Sequence, residues 1–189
     1  MSFYDNIENN FKNSIGDKYN VEKLFNKATD EQLDALKNLI GDNVAAFIDF
    51  YSNLQPLNLP MMSCYTSLCD IKHIIEENTE LAPGAYLSKL GIFVFAVTIG
   101  GNSVCIDTNC IQNGDPCILI IDKNFLYCDE DGSEIANLPS YVDKSELSDK
   151  DYEFTYENVR KFVYKLEDRF TDFIEKFSRD EYENLENFL

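Results

Sequence analysis

The clearest structural signal in this chain lies in residues 91–107, whose sequence is GIFVFAVTIGGNSVCID. Its first part, up to Ile99, is a run of β-branched and aromatic residues, which is typical of a strand buried on both faces. Gly100-Gly101-Asn102 then predicts a hairpin turn, because glycine readily adopts the positive φ angles that such turns need. Residues 103–107 alternate between polar and apolar, so they predict a returning strand.

More strands are predicted after this hairpin. Asn113-Gly114-Asp115-Pro116 predicts a second turn, and strands are expected at Cys117 to Asp122 and at Leu126 to Cys128. With helices predicted before and after the strands, the fold class is α+β. We expect a central, mainly antiparallel sheet of about four to six strands, flanked by helices that pack on one side of it.

Apolar residues spaced three or four positions apart predict helices on both sides of the strand region. The expected helices cover residues 3–15, closed by Gly16-Asp17; residues 29–40, with Thr29 and Gln32 as a capping box and Gly41 as the stop; residues 42–51; residues 70–78; and one long helix from Glu157 through Phe177.

The chain divides into three predicted parts. Residues 1–28 form an N-terminal helical extension, residues 29–178 form one domain, and residues 179–189 form an acidic tail that we expect to be frayed. Inside the domain, residues 129–153 contain nine acidic residues and only two lysines. This composition has little apolar periodicity, so it predicts a long acidic loop or insertion with marginal structure of its own.

The net charge of the chain is strongly negative. It contains 34 acidic and 16 basic residues, and its formal charge is −18. Such a charge repels phosphate backbones, which argues against direct binding of nucleic acid or of an anionic membrane. It suits a basic partner, or it serves solubility alone.

Nothing in the sequence predicts export or membrane insertion. Residues 1–6 lack the basic and apolar regions of a secretory signal. The longest apolar stretch, residues 91–99, is far shorter than the ~20 residues of a membrane-spanning helix. We therefore expect a cytoplasmic protein that is a monomer or a weak homodimer.

The residue types that commonly bind metals do not form a motif. No two of the six cysteines have C-x-x-C spacing, and His73 is the only histidine. In a cytoplasmic protein we expect reduced, buried thiols that act as small hydrophobic side chains. We therefore expect no zinc, no other metal and no cofactor. The cysteines are Cys64, Cys69, Cys105, Cys110, Cys117 and Cys128.

Catalytic interpretations of single residues are weaker than structural ones. Asp107 and Asp122 each end a predicted strand and could pair as carboxylates, but aspartate at such a position more often forms a turn. His73 has no nucleophile near it in sequence, so a surface or capping role is favoured. Gly100-Gly101-Asn102 lacks the following lysine of a phosphate-binding loop. Because no nucleophile, base and oxyanion site can be assembled, we do not expect an enzyme.

Four segments together carry a resemblance to a known family. They are VAAFIDFYSN (residues 44–53), FAVTIGGNSVCID (residues 95–107), ILIIDKN (residues 118–124) and FTDFIEKF (residues 170–177). Their order resembles the SMI1/KNR4 (SUKH) superfamily, over residues 29–178. The most specific part of the resemblance is Gly100-Gly101-Asn102 with Asp107.

The resemblance implies a bacterial immunity protein. Family members bind and neutralise the toxin domain of polymorphic or contact-dependent systems, and many of these toxins are nucleases. A nuclease needs a basic groove to hold phosphate, so an acidic inhibitor fits it. Two alternatives remain: a regulatory protein-binding scaffold, as in yeast members of the superfamily, and an enzyme that uses the cysteines.

The acidic residues of the insertion are the predicted toxin-binding residues. Clustered like charges repel one another unless a basic surface offsets them. The alternative is a solvated acidic loop with no partner. The predicted binding residues are Asp129, Glu130, Asp131, Asp143, Glu146, Asp149, Asp151 and Glu153.

Overall fold

The computed structural model describes residues 2–16, 23–129, 132–140 and 142–188. Within them the α-helices are α1 (Phe3–Ile15), α2 (Asp30–Ile40), α3 (Ala45–Asn53), α4 (Ile71–Thr79), α5 (Gly84–Leu87), α6 (Tyr156–Phe162) and α7 (Phe170–Ser178). The strands are β1 (Phe25–Asn26), β2 (Gln55–Pro56), β3 (Thr66–Leu68), β4 (Ile92–Thr98), β5 (Ser103–Gln112), β6 (Asp115–Ile121), β7 (Leu126–Asp129), β8 (Gly132–Ile135) and β9 (Tyr164–Glu167). Short 3-10 turns lie at Ser88–Leu90, Lys144–Glu146, Asp149–Tyr152 and Leu185–Phe188.

The central sheet has five strands in the order β3-β4-β5-β6-β9, and every neighbouring pair is antiparallel. The predicted α+β class and antiparallel sheet are therefore confirmed. The hairpin between β4 and β5 turns where it was predicted, with the Gly101 amide donating to the Thr98 carbonyl at 3.0 Å. Gly101 has φ +94°, a value that favours glycine.

Two predicted strand features differ in detail from the structure. The second turn consists of Asn113 and Gly114 alone, and Asp115 and Pro116 already belong to β6. The strand predicted at Leu126 to Cys128 forms, but it pairs with β8 in a separate two-stranded hairpin. The fifth strand of the central sheet is β9, which pairs with β6.

The helices of the first half begin and end as their capping residues dictate. Ser2 and Asp5 form a capping box at the start of α1, and Thr29 and Gln32 form the predicted one at the start of α2. The Thr29 hydroxyl accepts from the Gln32 amide at 3.2 Å, which satisfies a backbone donor that the helix itself cannot. The third helix starts at Ala45, later than predicted, with Val44 at its N-cap. Asp17 lies outside the described residues.

The central strands are buried on both faces, as predicted, but β4 covers only Ile92–Thr98 of the predicted residues 91–99, and Ile99 is exposed in the turn. Successive side chains of a strand point to opposite faces, so each strand contributes side chains to two apolar clusters, one on each face. The first face, here called the main face, carries Phe93, Phe95, Val104, Ile106, Ile118 and Ile120. The opposite one, here called the second face, carries Ile92, Val94, Cys105, Cys117, Leu119 and Ile121.

Helices α1, α2, α3, α4 and α7 cover the main face. Its centre is a group of buried rings in edge-to-face contact: the centroids of Phe47 and Phe170 lie 5.0 Å apart, and those of Phe95 and Phe173 lie 5.5 Å apart. Such contacts add to the free energy of burying large aromatic side chains. The N-terminal helix joins this core, because Phe11 is fully buried and its ring lies 5.9 Å from that of Phe177.

The expectation that helices pack on one side of the sheet only is wrong. Val159 and Phe162 of α6 lie buried on the second face. The acidic stretch contributes buried side chains as well, so the expectation that it has only marginal structure is also wrong. Its Ile135 and Leu138 are buried in the same cluster. The physical reason is that a sheet with apolar side chains on both faces must exclude water from both.

The long helix predicted from Glu157 to Phe177 is two helices with a strand between them. Helix α6 ends at Phe162, β9 follows, and α7 begins at Phe170. Every residue of β6 is buried, and its backbone needs hydrogen-bond partners on both sides. Strand β9 supplies them, with Tyr164 opposite Ile120 and Lys165 opposite Leu119. This requirement overrides the helical spacing of the apolar residues.

The acidic tail is not frayed over the residues that the structure describes. Leu185 is fully buried, and its amide donates to the Cys64 carbonyl at 3.2 Å. The Tyr182 hydroxyl donates to Glu167 at 2.8 Å. These contacts of Tyr182 and Leu185 hold the acidic tail against the main-face core.

Candidate partner-binding surface

The predicted binding residues fall into two groups in the structure. Asp129 ends β7, and its side chain, together with Glu130 and Asp131, lies outside the described residues. The other five lie between Val142 and Phe154, a segment that crosses the outside of the second face and is here called the cover segment. Two short 3-10 turns and the stretches beside them make up this segment.

The inner side of the cover segment is apolar. Val142, Leu147, Tyr152 and Phe154 are partly buried against the cluster on the second face. Their spacing follows neither a helix nor a strand, which is why the sequence pattern did not reveal them. The segment therefore has an apolar side that seals the sheet and an acidic side that faces solvent.

Two carboxylates of the cover segment hold its local structure. The Asp143 carboxylate accepts hydrogen bonds from the Ser145 hydroxyl at 2.7 Å and from its amide at 2.9 Å, and these bonds lower the pKa of Asp143. Asp151 pairs with the Lys161 ammonium at 2.7 Å and also accepts from the Ser148 amide and hydroxyl. The lysine and the serine together hold the pKa of Asp151 well below its usual range. Both side chains stabilise the turns.

Three carboxylates of the cover segment remain available to a partner. Glu146, Asp149 and Glu153 are exposed, and within the described part of the chain their carboxylates form no ion pair and accept no hydrogen bond. A basic surface could pair with all three without breaking an existing contact. They are the part of the predicted site that the structure leaves open.

An open groove of about 550 Å³ lies at one end of the cover segment. It brings Asp149 and Glu153 together with Glu134 of β8, which forms an isolated β-bridge with Glu153. The remaining lining residues are Tyr86, Lys89, Ser133, Tyr152 and Phe154. The Lys89 ammonium lies 4.7 Å from the centre of the Tyr86 ring.

Sequence reasoning missed most of this groove. Tyr86 and Lys89 belong to α5 and the turn after it, far from the acidic stretch in sequence. Only the folding of β7 and β8 over the second face brings the two segments together. The acidic composition of residues 129–153 was the one signal available, and it identified Asp149 and Glu153.

Asp107 and Asp122 do not form a carboxylate pair. Asp122 accepts from the Asn124 amide at 2.6 Å, in the expected turn-forming role. Asp107 is fully buried, at the point where the pairing of β5 with β6 shifts. It lies 3.1 Å from the Arg160 guanidinium and accepts from the Tyr156 hydroxyl at 2.9 Å. Asp107 also accepts from the Asn109 amide at 2.9 Å, two residues on, so it has the expected turn-forming contact as well, and Arg160 balances its buried charge.

The environment of Asp107 also affects its tyrosine partner. Burial, followed by the hydrogen bond to Asp107, raises the pKa of Tyr156 to about 12. Arg160 and Tyr156 both belong to α6 and both contact Asp107 of β5. This polar cluster therefore holds α6 against the second face of the sheet.

The Gly100-Gly101-Asn102 turn forms hydrogen bonds with the C-terminal segment of the same chain. The Gly100 amide, a donor that a bound anion would need, donates to the Glu186 carboxylate at 2.6 Å. A Cβ atom at Gly100 would lie 2.2 Å from that carboxylate, so a side chain at this position would displace Glu186. The same carboxylate accepts from the Asn102 side chain at 3.3 Å. The turn thus anchors the C-terminal segment.

The cysteines and the histidine occupy structural positions. All six thiols are free, and burial raises the pKa of Cys69 and of Cys117 to about 12, so both are protonated at neutral pH. His73 lies on α4, where the N-cap Asp70 accepts from its amide at 2.8 Å, so it has the expected capping position. Among the described residues, no group of three or more metal-binding side chains is placed to hold an ion.

Comparison of this chain with protein-family models, with curated proteins and with solved structures gives no significant match. Across residues 2–16, 23–129, 132–140 and 142–188, none of the helices has the length and apolar character needed to cross a bilayer.

Proposed function

We propose that this protein is a non-catalytic, cytoplasmic immunity protein that binds and neutralises a basic toxin domain. The observation that carries the proposal is a net charge of −18 together with a structured surface on which the carboxylates of Glu146, Asp149 and Glu153 face solvent and have no partner among the described residues. A charge of this size directed at a basic surface accelerates encounter and selects for partners of opposite sign.

The resemblance to SMI1/KNR4 immunity proteins indicates which kind of basic partner to expect. The five-stranded antiparallel sheet and the hairpin at Gly100-Gly101-Asn102 agree with the architecture that this resemblance implies, and this agreement supports the proposal. A toxin that acts on nucleic acid needs a basic groove for phosphate. Carboxylates held on a folded surface can occupy such a groove and exclude the substrate.

Binding of this kind requires little rearrangement of the protein. Asp143 and Asp151 already fix the two turns, and Val142 and Leu147 hold the segment on the sheet. The available carboxylates therefore sit on a segment whose backbone is ordered before the partner arrives. Preorganisation of this kind lowers the entropy cost of association.

Co-expression tests the proposal. The toxin candidate is the small basic C-terminal domain of a secreted protein encoded beside this gene, expressed in a bacterial host with and without this chain. We expect this chain to restore growth and to form a one-to-one complex with a catalytically inactive form of the domain. Equal killing in both strains, with no complex in size-exclusion chromatography, would contradict the immunity role and favour the regulatory scaffold.

A further inference from the structure

We propose that the groove lined by Tyr86, Tyr152 and Phe154 receives an arginine side chain from a basic protein partner. This inference rests on the proposed function, because it assigns a specific contact to the same acidic surface.

The chemistry of the walls fits a guanidinium group. Tyr86, Tyr152 and Phe154 provide aromatic surface, and their side chains are partly buried, so the rings are held by the protein core. A guanidinium is planar and weakly hydrated, and it stacks on aromatic faces. The groove opens widely to solvent, so a side chain presented by a protein surface can enter it without complete burial of that surface.

The carboxylates around the groove complete the site. Glu134, Asp149 and Glu153 line it, and within the described residues they form no ion pair. A guanidinium carries five donors in a fixed fork that matches carboxylate oxygens, whereas a lysine ammonium acts as a point charge. Two or more carboxylates beside aromatic walls therefore favour arginine over lysine.

Lys89 shows that the aromatic wall of the groove can hold a cation. Its ammonium lies 4.7 Å from the centre of the Tyr86 ring, which shows that this wall already holds a positive charge. Lys89 forms no ion pair with the three carboxylates among the described residues, so it does not satisfy them. It occupies one aromatic face and competes with a partner for that face.

A peptide-binding experiment tests the groove without the toxin. The probes are two fluorescein-labelled peptides of equal charge, one alternating glycine with arginine and the other glycine with lysine. Fluorescence anisotropy of each is titrated with the intact protein at about 50 mM and about 300 mM salt, across which electrostatic screening changes strongly. We expect the arginine peptide to bind about fivefold more tightly than the lysine peptide.

Three variants separate the groove from general charge attraction. Tyr86→Leu with Tyr152→Leu keeps the charge and should weaken arginine binding about fivefold without changing its salt dependence. Glu134→Gln with Asp149→Asn and Glu153→Gln should weaken it about tenfold and flatten the salt dependence. The matched control, Asp30→Asn with Glu31→Gln and Asp34→Asn, removes the same charge from exposed positions of α2 on the other side of the sheet. It should weaken binding less than about twofold.

A fourth variant tests the aromatic wall through a gain of binding, which loss of folding could not produce. Lys89→Met removes the competing ammonium from an exposed position, so arginine binding should tighten about threefold. Urea unfolding and circular dichroism check that every variant is folded.

Equal affinity for the two peptides, or equal weakening by the groove and control variants, would overturn the proposal. Either result would mean that the net charge alone attracts the peptide. Growth protection in the co-expression test would then still stand, so failure of the groove and failure of the immunity role are distinguishable.

Discussion

The two faces of the central sheet are buried by different means. Regular helices cover the main face, and their apolar residues recur at helical spacing. The second face is closed partly by α6 and partly by the irregular cover segment, whose apolar residues follow no period and whose other side is acidic. An acidic stretch without apolar periodicity can therefore be structural: most of its residues face solvent, and its few apolar side chains pack against the sheet.

The largest expected effect lies on the main face. Phe173→Ala removes a fully buried ring that contacts Phe95, Phe177 and Tyr182. We expect the free energy of unfolding in urea to fall by about 3–5 kcal/mol, because transfer and cavity terms add. The exposed Tyr127 serves as control, and its replacement by alanine should change that free energy by less than about 0.5 kcal/mol. A loss below about 1 kcal/mol for Phe173→Ala would contradict the central position of this ring.

A smaller loss is expected on the second face. Ile135 is 2% exposed and belongs to the acidic stretch. The variant Ile135→Ala should lower the free energy of unfolding by about 2 kcal/mol, at the low end for such changes because Ile135 ends β8, in a short two-stranded hairpin outside the central sheet that can relax around the cavity. An unchanged urea midpoint would mean that the stretch is a loop without a role in the core, and the contrast between the faces would disappear.

The smallest effect on stability is expected for the hydrogen bond between Tyr156 and Asp107 on the second face, and this effect depends on pH. The pKa of Tyr156 is raised from 10.0 to about 12 in the folded protein. Between these values the unfolded state releases its proton first and binds fewer protons, so stability falls as pH rises through that window. Tyr156→Phe should lose about 1 kcal/mol at neutral pH with its hydrogen bond, and the alkaline fall in stability should become shallower.

Urea midpoints measured from neutral pH into this alkaline window check the pH prediction. Tyr127→Phe, at an exposed position, is the control and should follow the wild-type curve. Parallel curves for Tyr156→Phe and wild type would show that Tyr156 does not titrate in this way.

Local signals in the sequence predicted much of the main face. The capping box of Thr29 with Gln32, the end of α2 before Gly41 and the hairpin at Gly100-Gly101-Asn102 all depend on neighbouring residues. Such features are visible in a short window because their physical cause lies within it.

The missed features depend on distant residues. Strand β9 forms because β6 needs a partner, and the groove forms because β8 brings Glu134 close to Tyr86 and Lys89. No local pattern carries that information. Of the candidate site, the sequence identified the acidic carboxylates but could not separate Asp143 and Asp151, whose carboxylates hold the turns, from those whose carboxylates have no partner among the described residues.

The most direct test of the account is the rate at which this protein associates with the toxin domain from the co-expression test. The variant combines Glu146→Gln, Asp149→Asn and Glu153→Gln and spares Asp143 and Asp151. The control is the triple α2 variant, and each is measured by stopped-flow at low and high salt. We predict an association rate about tenfold lower at low salt for the cover-segment variant, a flatter salt dependence, and unchanged unfolding in urea. Association rates and a salt dependence equal to those of the wild type would contradict the assignment of the cover segment as the partner-binding surface.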